Sequence, residues 1–169
     1  MIKFMTQADH AALEKQNSYW KGRWPYLERV IDIVQHDVQI TSASEVLELG
    51  AYEGSIIPEC DLMDKNGKIP NLKYKWDASV VPWPVEDKKY TLFVALQVWE
   101  HLKDAQKEAF IEVLRICKYA ILSFPLNWDC PGNCHHGITK EIIAEWTLFI
   151  EPVKVIKVGA RIIYFYKFI

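Results

Sequence analysis

Predominantly apolar runs separated by polar turns recur along the whole chain. The most apolar run covers residues 90–98, and shorter runs cover residues 45–49 and 119–124. A nearly continuous apolar run of this length is typical of a parallel strand that is buried on both faces of its sheet. We therefore expect residues 90–98 to form the central strand of a parallel sheet.

Segments with helical periodicity lie between these runs. Apolar residues recur at helical spacing in residues 25–36 and again after Asp104, which can cap the helix that follows. Thr139 can cap another helix that reaches Trp146. A short helix is also expected at residues 55–60. The alternation of strands and helices predicts an α/β fold.

Weaker strand signals complete the pattern. Residues 61–66 and 73–76 are candidates for short second and third strands. At the end of the chain, residues 152–158 and 160–168 flank Gly159 and predict a hairpin. Strand–helix alternation followed by a hairpin predicts a doubly wound, Rossmann-like, mostly parallel sheet with an antiparallel C-terminal strand.

Composition and charge limit the class of protein. The chain has 169 residues, of which 50% are hydrophobic, so it can bury a substantial core. We expect residues 1–169 to form a single domain, with residues 1–40 as an N-terminal helical lid and residues 45–169 as a Rossmann-like core. The formal net charge is −2 and no basic block is present, so nucleic acid is not an expected partner.

Targeting signals and cysteine spacing point to a cytoplasmic protein. The N-terminus lacks the pattern of a signal peptide, and no apolar run approaches the roughly 18 residues of a membrane span. The cysteines are spaced too unevenly for a disulfide framework, at Cys60, Cys117, Cys130 and Cys134. Two of them precede His135 and His136, which leaves a crowded zinc site as a minor alternative.

The most informative segment is residues 46–54, Val-Leu-Glu-Leu-Gly-Ala-Tyr-Glu-Gly. The apolar strand carries Glu48 and ends at Leu49, and Gly50 and Gly54 then allow a tight turn that brings the backbone close to a ligand. In open parallel sheets, ligands bind at the carboxyl ends of the strands. The segment resembles the first motif of class I S-adenosylmethionine-dependent methyltransferases, although Tyr52 stands where that family usually has its middle glycine.

This resemblance covers the chain from about residue 19 to the C-terminus and implies S-adenosylmethionine as the cofactor. The turn would bind it through Glu48, Gly50, Tyr52 and Gly54. Asp64 matches the acid that binds the ribose hydroxyls, and Asp77, followed by Ala78, matches the acid that accepts from the adenine amino group. Gln97 would lie near the methionine moiety. The alternatives are turn acids, Asp64 beside Asn66 and Asp77 capping a turn with Ser79.

An aromatic segment precedes the first predicted helix and contains Tyr19, Trp20, Arg23 and Trp24. Relatives in this family often fold such a segment over the cofactor, with an arginine that meets the cofactor carboxylate in a charge-assisted pair. Arg23 is the candidate for that role. The alternative is an aromatic lid that packs on the edge of the sheet.

Residues 96–102, Leu-Gln-Val-Trp-Glu-His-Leu, resemble the Leu-Glu-His segment that many of these enzymes carry after the central strand. Glu100 and His101 would lie at the mouth of the site as catalytic candidates, or would only orient the loop. Some relatives hold a divalent metal with a Glu-x-x-Glu-His segment. Here Gln97 replaces the first glutamate and removes one anionic ligand. A divalent metal therefore stays a weak alternative, and no residue is assigned as a metal ligand.

His135 and His136 lie in the loop after the fifth predicted strand, where this family commonly builds its acceptor pocket. A histidine can take the proton from an acceptor hydroxyl near neutral pH. His136 is the favoured candidate for this general base. The alternative is a loop histidine bonded to the backbone.

The combined pattern predicts an S-adenosylmethionine-dependent methyltransferase that acts by O-methylation of a small polar or glycan-type acceptor. One alternative is an S-adenosylmethionine-binding subunit, or a degenerate methyltransferase, without transfer activity. A dehydrogenase on the same fold is a further alternative, which the missing Gly-x-Gly-x-x-Gly disfavours. The acceptor itself and the oligomeric state stay open.

Overall fold

A computed structural model describes residues 2–67, 69–70, 72–127 and 135–168. Within these residues, seven strands form one sheet. In chain order, the strands are β1 Val46–Leu49, β2 Asp61–Asp64, β3 Leu72–Lys75, β4 Tyr90–Leu96, β5 Cys117–Pro125, β6 Lys154–Val158 and β7 Arg161–Lys167.

The strand order in the sheet is β3-β2-β1-β4-β5-β7-β6. Neighbouring strands from β3 to β5 are parallel, whereas β7 pairs antiparallel with both β5 and β6. The prediction of a Rossmann-like, mostly parallel sheet with an antiparallel C-terminal strand is therefore confirmed, and β4 lies at its centre as expected.

The described helices are α1 Gln7–Gln16, α2 Trp24–Asp37, α3 Gln106–Ile116 and α4 Lys140–Trp146. Thr139 caps α4 as predicted, since its side chain accepts from the Ile142 N–H group. Asp104 does not cap α3, because the helix begins later and Ala105 is at the N-cap position. The sequence pattern missed α1 because its only buried residue is His10, so it has no apolar stripe.

The helix expected at residues 55–60 does not form. The Ser55 hydroxyl and the Ile56 N–H group both donate to the carboxylate of Glu48, and the Ile57 N–H group donates to Ser55 Oγ. The Ile56 carbonyl oxygen accepts from the Met5 N–H group, and the Cys60 N–H group donates to Ile57 rather than to Ile56 as in an α-helix. The connection between β1 and β2 folds around the Glu48 carboxylate instead.

Apolar side chains cover both faces of the sheet. On one face, Val94 of β4 belongs to a buried cluster with Val30 and Val34 of α2. On the other face, Phe93 belongs to a cluster with Phe110 of α3. Because neighbouring residues of β4 point to opposite faces, burial of both faces explains its nearly continuous apolar sequence.

Residues 1–40 contribute in two ways. Helix α2 packs on the sheet, whereas residues that precede it lie against the turn after β1, where the Met5 N–H group donates to the Ile56 carbonyl oxygen at 2.9 Å. The division into an N-terminal lid and a core within a single domain stays a prediction. In the part of the chain that the structure describes, no helix is long and apolar enough to cross a membrane.

Candidate functional site

The carboxyl ends of β1, β2 and β3 meet along one edge of the sheet. Past the strand ends, the Gly50 N–H group donates to the Met63 carbonyl oxygen at 3.0 Å, and the Trp76 N–H group donates to the Asp64 carbonyl oxygen at 3.0 Å. Asp77 follows Trp76 directly. The structure therefore brings Gly50, Asp64 and Asp77 to the same edge, where a ligand of such a fold binds.

The two positions in the turn require glycine for different structural reasons. Gly50 has a φ of +70°, and a Cβ atom there would lie 2.7 Å from Val98 Cγ2. A Cβ atom at Gly54 would lie 2.7 Å from Leu13 Cδ1 in α1. Gly50 thus allows the turn itself, and Gly54 allows the N-terminal segment to approach it closely.

Tyr52 replaces a glycine in the turn and adopts the left-handed conformation with a φ of 53°. Its ring lies 5.0 Å from the ring of Tyr19, and Asn17 Nδ2 donates to its hydroxyl at 3.4 Å. The guanidinium carbon of Arg23 lies 3.7 Å from the centroid of the Tyr19 ring. The predicted aromatic segment therefore lies over the glycine turn.

Glu48 lies beneath the turn with a side chain that is only 3% exposed. Its Oε2 atom accepts from Ser55 Oγ at 2.5 Å and from Ile56 N at 3.2 Å. Burial raises the pKa of Glu48 to about 7, against the opposing effect of these hydrogen bonds. Glu48 fastens the turn to the following segment and borders a narrow gap beside Gly50.

Asp64 and Asp77 each use one carboxylate oxygen in a local turn. Asp64 Oδ1 accepts from Asn66 N at 2.6 Å, and Asp77 Oδ1 accepts from the N–H group and hydroxyl of Ser79 at 3.0 and 2.8 Å. Burial raises the pKa of Asp77, but the hydrogen bonds from Ser79 outweigh it and hold that pKa below its usual value. The other oxygen of each carboxylate has no hydrogen-bond partner within the described ranges. The neighbouring Ala78 is buried.

Gln97 follows β4 in a left-handed conformation with a φ of 61°. Its backbone N–H group and its side-chain Nε2 both donate to Ser123 Oγ, at 3.1 and 3.2 Å. The Ser123 hydroxyl is in turn 2.8 Å from the hydroxyl of Tyr26 in α2. This network holds the turn after β4 against β5 and α2, and Gln97 there lines a second cavity besides the gap at Gly50.

The second cavity lies at the ends of β4 and β5 and has a volume of about 320 Å³. Its walls combine the aromatic segment before α2, the turn after β4 and the hairpin between β6 and β7. The polar residues that line it are Tyr19, Arg23, Gln97, Glu100, His101 and Arg161. The structure thus brings together four of the predicted site residues on one side of the glycine turn.

Glu100 and His101 are neighbouring titratable residues of this cavity whose pKa values are both shifted. Glu100 is 1% exposed, and neither carboxylate oxygen has a hydrogen-bond partner within the described part of the chain. Burial raises the pKa of Glu100 to about 7, although the charge of Arg23 opposes this. Burial, followed by the charge of Lys65, lowers the pKa of His101. At neutral pH His101 is therefore a neutral imidazole that can accept a proton.

The two loop histidines have separate environments. The His135 N–H group donates to the Glu100 carbonyl oxygen at 2.9 Å, its ring nitrogen contacts the Lys103 carbonyl oxygen, and its ring lies 5.1 Å from that of Trp146. His136 is exposed and is not among the residues that line the second cavity. The geometry favours His101 over His136 as the base, and the role of His136 stays a prediction.

Arg161 is the site residue that the sequence analysis missed. It begins β7 and pairs with Pro125 at the end of β5. Because β7 runs antiparallel to β5, it starts at the edge of the sheet where β5 ends. Arg161, which follows the hairpin turn, therefore reaches the same edge as Asp64 and Asp77. The turn at Gly159 was the available signal, but it identifies Arg161 only once β7 is known to pair with β5.

Metal ligands are not clustered in the described ranges, where no group of three or more His, Cys, Asp or Glu residues could hold a metal ion. Glu100 and His101 form only a pair. The alternative zinc site depends on Cys130 and Cys134, which lie outside the described residues. The weak metal alternative therefore gains no support from this geometry.

The largest of the cavities described, about 760 Å³, lies elsewhere, between α1 and residues 51–62. It borders Tyr52 and Gly54 but not Asp64, Asp77 or Gln97. It occupies the side of the sheet where the expected helix at residues 55–60 does not form. Charged side chains also line this larger cavity, among them Asp9, Glu53 and Asp61. The strand-end edge and the smaller cavity beside it are the better candidate for the site, because the carboxyl ends of the parallel strands meet there.

The chain has the fold of class I S-adenosylmethionine-dependent methyltransferases. A methyltransferase of this kind from Aquifex aeolicus aligns with a TM-score of 0.57 and 12% identity over 85% of this chain and 89% of its own. The N-methyltransferase NodS from Bradyrhizobium japonicum WM9 aligns with a TM-score of 0.60 and 11% identity, over 86% and 95% of the two chains.

An rRNA methylase from Escherichia coli is also similar, with a TM-score of 0.56 and 14% identity over 95% of this chain and 70% of its own. No protein-family model and no curated protein matches the sequence. At these identities the structural likeness shows the fold. It confirms the resemblance that the glycine turn and the strand-end acids indicated.

Proposed function

We propose that the protein is an S-adenosylmethionine-dependent methyltransferase that methylates a hydroxyl group of a small polar acceptor, such as a sugar of a glycan. The observation that carries this proposal is the pair in the cavity beside the glycine turn, a neutral His101 and a buried Glu100 whose carboxylate has no hydrogen-bond partner among the described residues. A volume of about 320 Å³ is at the lower end for small-molecule sites, which favours a small acceptor.

The residues along the strand-end edge fit the cofactor. The second carboxylate oxygen of Asp64 would accept from the ribose hydroxyls, and that of Asp77 from the adenine amino group. Arg23 borders the narrow gap beside Gly50 and would pair with the cofactor carboxylate. When bound, S-adenosylmethionine supplies a methyl group on a sulfonium sulfur, which leaves as a neutral thioether when an acceptor oxygen takes the methyl.

The remaining cofactor contacts would come from the turn and its neighbours. Glu48 shapes the turn from below, and the backbone of Tyr52 and Gly54 continues it. Ala78 follows the adenine-side acid, Asp77. Gln97 would separate the cofactor from the second cavity, which would hold the acceptor and is therefore the acceptor cavity. In this proposal the glycine turn contributes backbone groups and the aspartates contribute directional hydrogen-bond acceptors.

The chain's own chemical task is to align the acceptor and remove its proton. The hydroxyl proton would pass to the neutral imidazole of His101. The carboxylate of Glu100, 4.0 Å from His101 Nε2, would then stabilise the imidazolium. His136 remains the second candidate for the base. None of these roles requires a metal ion.

A cofactor-binding subunit without transfer activity is the second candidate function. Two features favour it: Tyr52 occupies a position of the turn where a glycine is usual, and residues 50–60 and 76–89 connect strands without a helix. A reduced scaffold around the turn would bind the cofactor but align an acceptor poorly. This candidate and the first share the binding site and differ only in turnover.

Calorimetric titration separates these functions. We expect S-adenosylmethionine and S-adenosylhomocysteine to bind and NAD not to bind. Release of S-adenosylhomocysteine is then measured with a panel of monosaccharides and glycan fragments. Binding with turnover supports the methyltransferase, and binding that stays without turnover for every acceptor supports the subunit. Binding of NAD alone would refute both.

A further inference from the structure

Arg161 lies at a rigid point of the acceptor cavity. It is the first residue of β7, opposite Val158 in β6 and Pro125 in β5. Close to this position, the Leu126 N–H group donates to the Ala160 carbonyl oxygen at 2.8 Å. The backbone that presents the guanidinium group is therefore held on both sides.

The guanidinium group of Arg161 has a buried donor that is unsatisfied within the described residues. Its Nε atom is buried and has no hydrogen-bond partner among the residues that the structure describes. The contact made by its guanidinium carbon is with the ring of Tyr26, at 5.4 Å from the centroid. A buried donor without an acceptor is unfavourable, so a site of this kind is completed when a ligand supplies the acceptor.

A second arginine, Arg23, lines the same cavity as Arg161. Burial, followed by the charge of Arg23, lowers the pKa of Arg161. Within the described ranges, neither arginine has a carboxylate oxygen within 4.0 Å. Glu100 is the carboxylic acid that lines this cavity, and its pKa of about 7 leaves it only partly charged at neutral pH.

The positions of the two arginines separate their roles. Arg23 borders both the narrow gap beside Gly50 and the acceptor cavity, and its Nε atom donates to the Tyr19 carbonyl oxygen at 2.6 Å. Arg161 borders the acceptor cavity and does not line the gap. Arg23 can therefore bind the cofactor, whereas Arg161 is placed to bind the acceptor but not the cofactor.

We propose that the acceptor carries an anionic oxyacid group, a carboxylate or a phosphate, and that Arg161 binds this group. That the anionic group belongs to a methyl acceptor rests on the proposed methyltransferase function, but the anion site itself does not. The planar guanidinium suits both groups because it offers two parallel donors to a pair of oxygen atoms. Bound there, the anion would satisfy the buried Nε donor and offset the repulsion between the two arginines.

The direct test uses simple anions and reads the Arg161 Nε–H resonance by ¹⁵N-resolved NMR at constant ionic strength. Acetate and inorganic phosphate are the probes, and acetamide is the neutral match for acetate. We expect saturable shifts of the resonance with the anions and none with acetamide. Tighter binding of phosphate would identify a phosphorylated acceptor, and tighter binding of acetate a carboxylated one. No saturable shift with either anion would overturn the proposal.

Substitutions confirm the location of the site. Arg161→Gln should weaken binding of the preferred anion roughly 10- to 150-fold, and Arg161→Lys should weaken it less. Lys157→Gln makes the same charge change on the exposed face of the same hairpin and should leave binding unchanged. Equal weakening by Lys157→Gln, or parent-like binding by a folded Arg161→Gln protein, contradicts the proposal.

Measuring S-adenosylhomocysteine affinity in the same samples keeps the two hypotheses apart. Arg161→Gln should leave that affinity unchanged, because Arg161 does not border the gap beside Gly50. If the parent protein does not bind the cofactor, the methyltransferase function is refuted, and the anion titration still reports on Arg161. Intact cofactor binding without an anion effect would refute the anion site alone.

Discussion

The Nε2 atom of His101 lies 4.0 Å from the Oε1 atom of Glu100, within the turn Trp99–His101 that follows β4. Glu100 is buried and without a hydrogen-bond partner in the described chain, whereas the side chain of His101 is half exposed to the cavity. The pair therefore combines an accessible base with a buried group that can respond to its charge. This arrangement is the basis for the catalytic predictions.

His101→Ala should lower the methyl-transfer rate by about 10²–10⁴-fold, the range for loss of a general base. Affinity for S-adenosylhomocysteine should stay nearly constant, because His101 faces the acceptor side. Initial rates with the acceptor found in the turnover assay, together with calorimetry, provide the measurement. His136→Ala is the comparison: if it causes the large loss and His101→Ala does not, the base is His136.

The pH dependence of the rate should follow the protonation of His101. Because its pKa is lowered from 6.5, the neutral base predominates at pH 7. We expect kcat/KM to rise with pH, through the ionisation of Glu100 near pH 7 and the loss of the His101 proton below pH 6.5. Rate profiles of the parent and His101→Ala proteins test this. An acid limb that persists unchanged in the variant would assign the titration to another group.

Asp64→Ala should weaken S-adenosylhomocysteine binding by about 1.5–3 kcal/mol, the range for hydrogen bonds to a charged group. The physical reason is the loss of a carboxylate that would accept from both ribose hydroxyls. Asp32→Ala is a control, since Asp32 forms an exposed ion pair with Arg29 on α2. A folded Asp64→Ala protein with parent-like affinity would remove Asp64 from the site.

Gly50→Ala and Gly159→Ala separate backbone strain from crowding. Both glycines have positive φ angles, +70° and +59°, so alanine should cost each about 1–2 kcal/mol in the free energy of unfolding. At Gly159 a Cβ atom meets nothing within 4 Å, whereas at Gly50 it would lie 2.7 Å from Val98 Cγ2. Gly50→Ala should therefore lose about 1–3 kcal/mol more in denaturant unfolding. Equal losses would show that Val98 moves aside.

Glu48→Gln should change how stability depends on pH. The folded pKa of Glu48, about 7, is above its ordinary value of 4.5. Between these values the folded state binds more protons than the unfolded state, so the free energy of unfolding falls as pH rises. The contribution of this carboxyl is about 1.4 kcal/mol per pH unit.

Urea unfolding of parent and Glu48→Gln proteins at pH 5 and pH 7 measures this effect. Glutamine keeps an oxygen to accept from Ser55 and Ile56 but cannot ionise, so the variant should have the shallower slope. Glu108→Gln removes a carboxyl from the exposed face of α3 and is the control. A slope as steep in Glu48→Gln as in the parent would contradict a buried, titrating Glu48.

Much of the fold could be predicted because its signals are local. The apolar run at residues 90–98 corresponds to β4, Tyr90–Leu96, since burial on both faces requires apolar residues at every position. Helix α1 was missed because it has no apolar stripe. Its local signal is instead the capping box between Thr6 and Asp9. The false helix at residues 55–60 reflects a buried Glu48 whose partners the pattern does not reveal.

The sequence by itself located the ends of the parallel strands to within a few residues, and with the family resemblance it supplied Gly50, Asp64, Asp77 and Gln97 as candidates. Only the tertiary structure decided that Glu100 is buried and that Arg161 faces the same cavity as Arg23. The physical reason is range: strand and helix periodicities act over a few residues, and a glycine turn is a local backbone requirement. Which strand ends meet depends on strand order and direction, and these follow from packing between segments far apart in the chain.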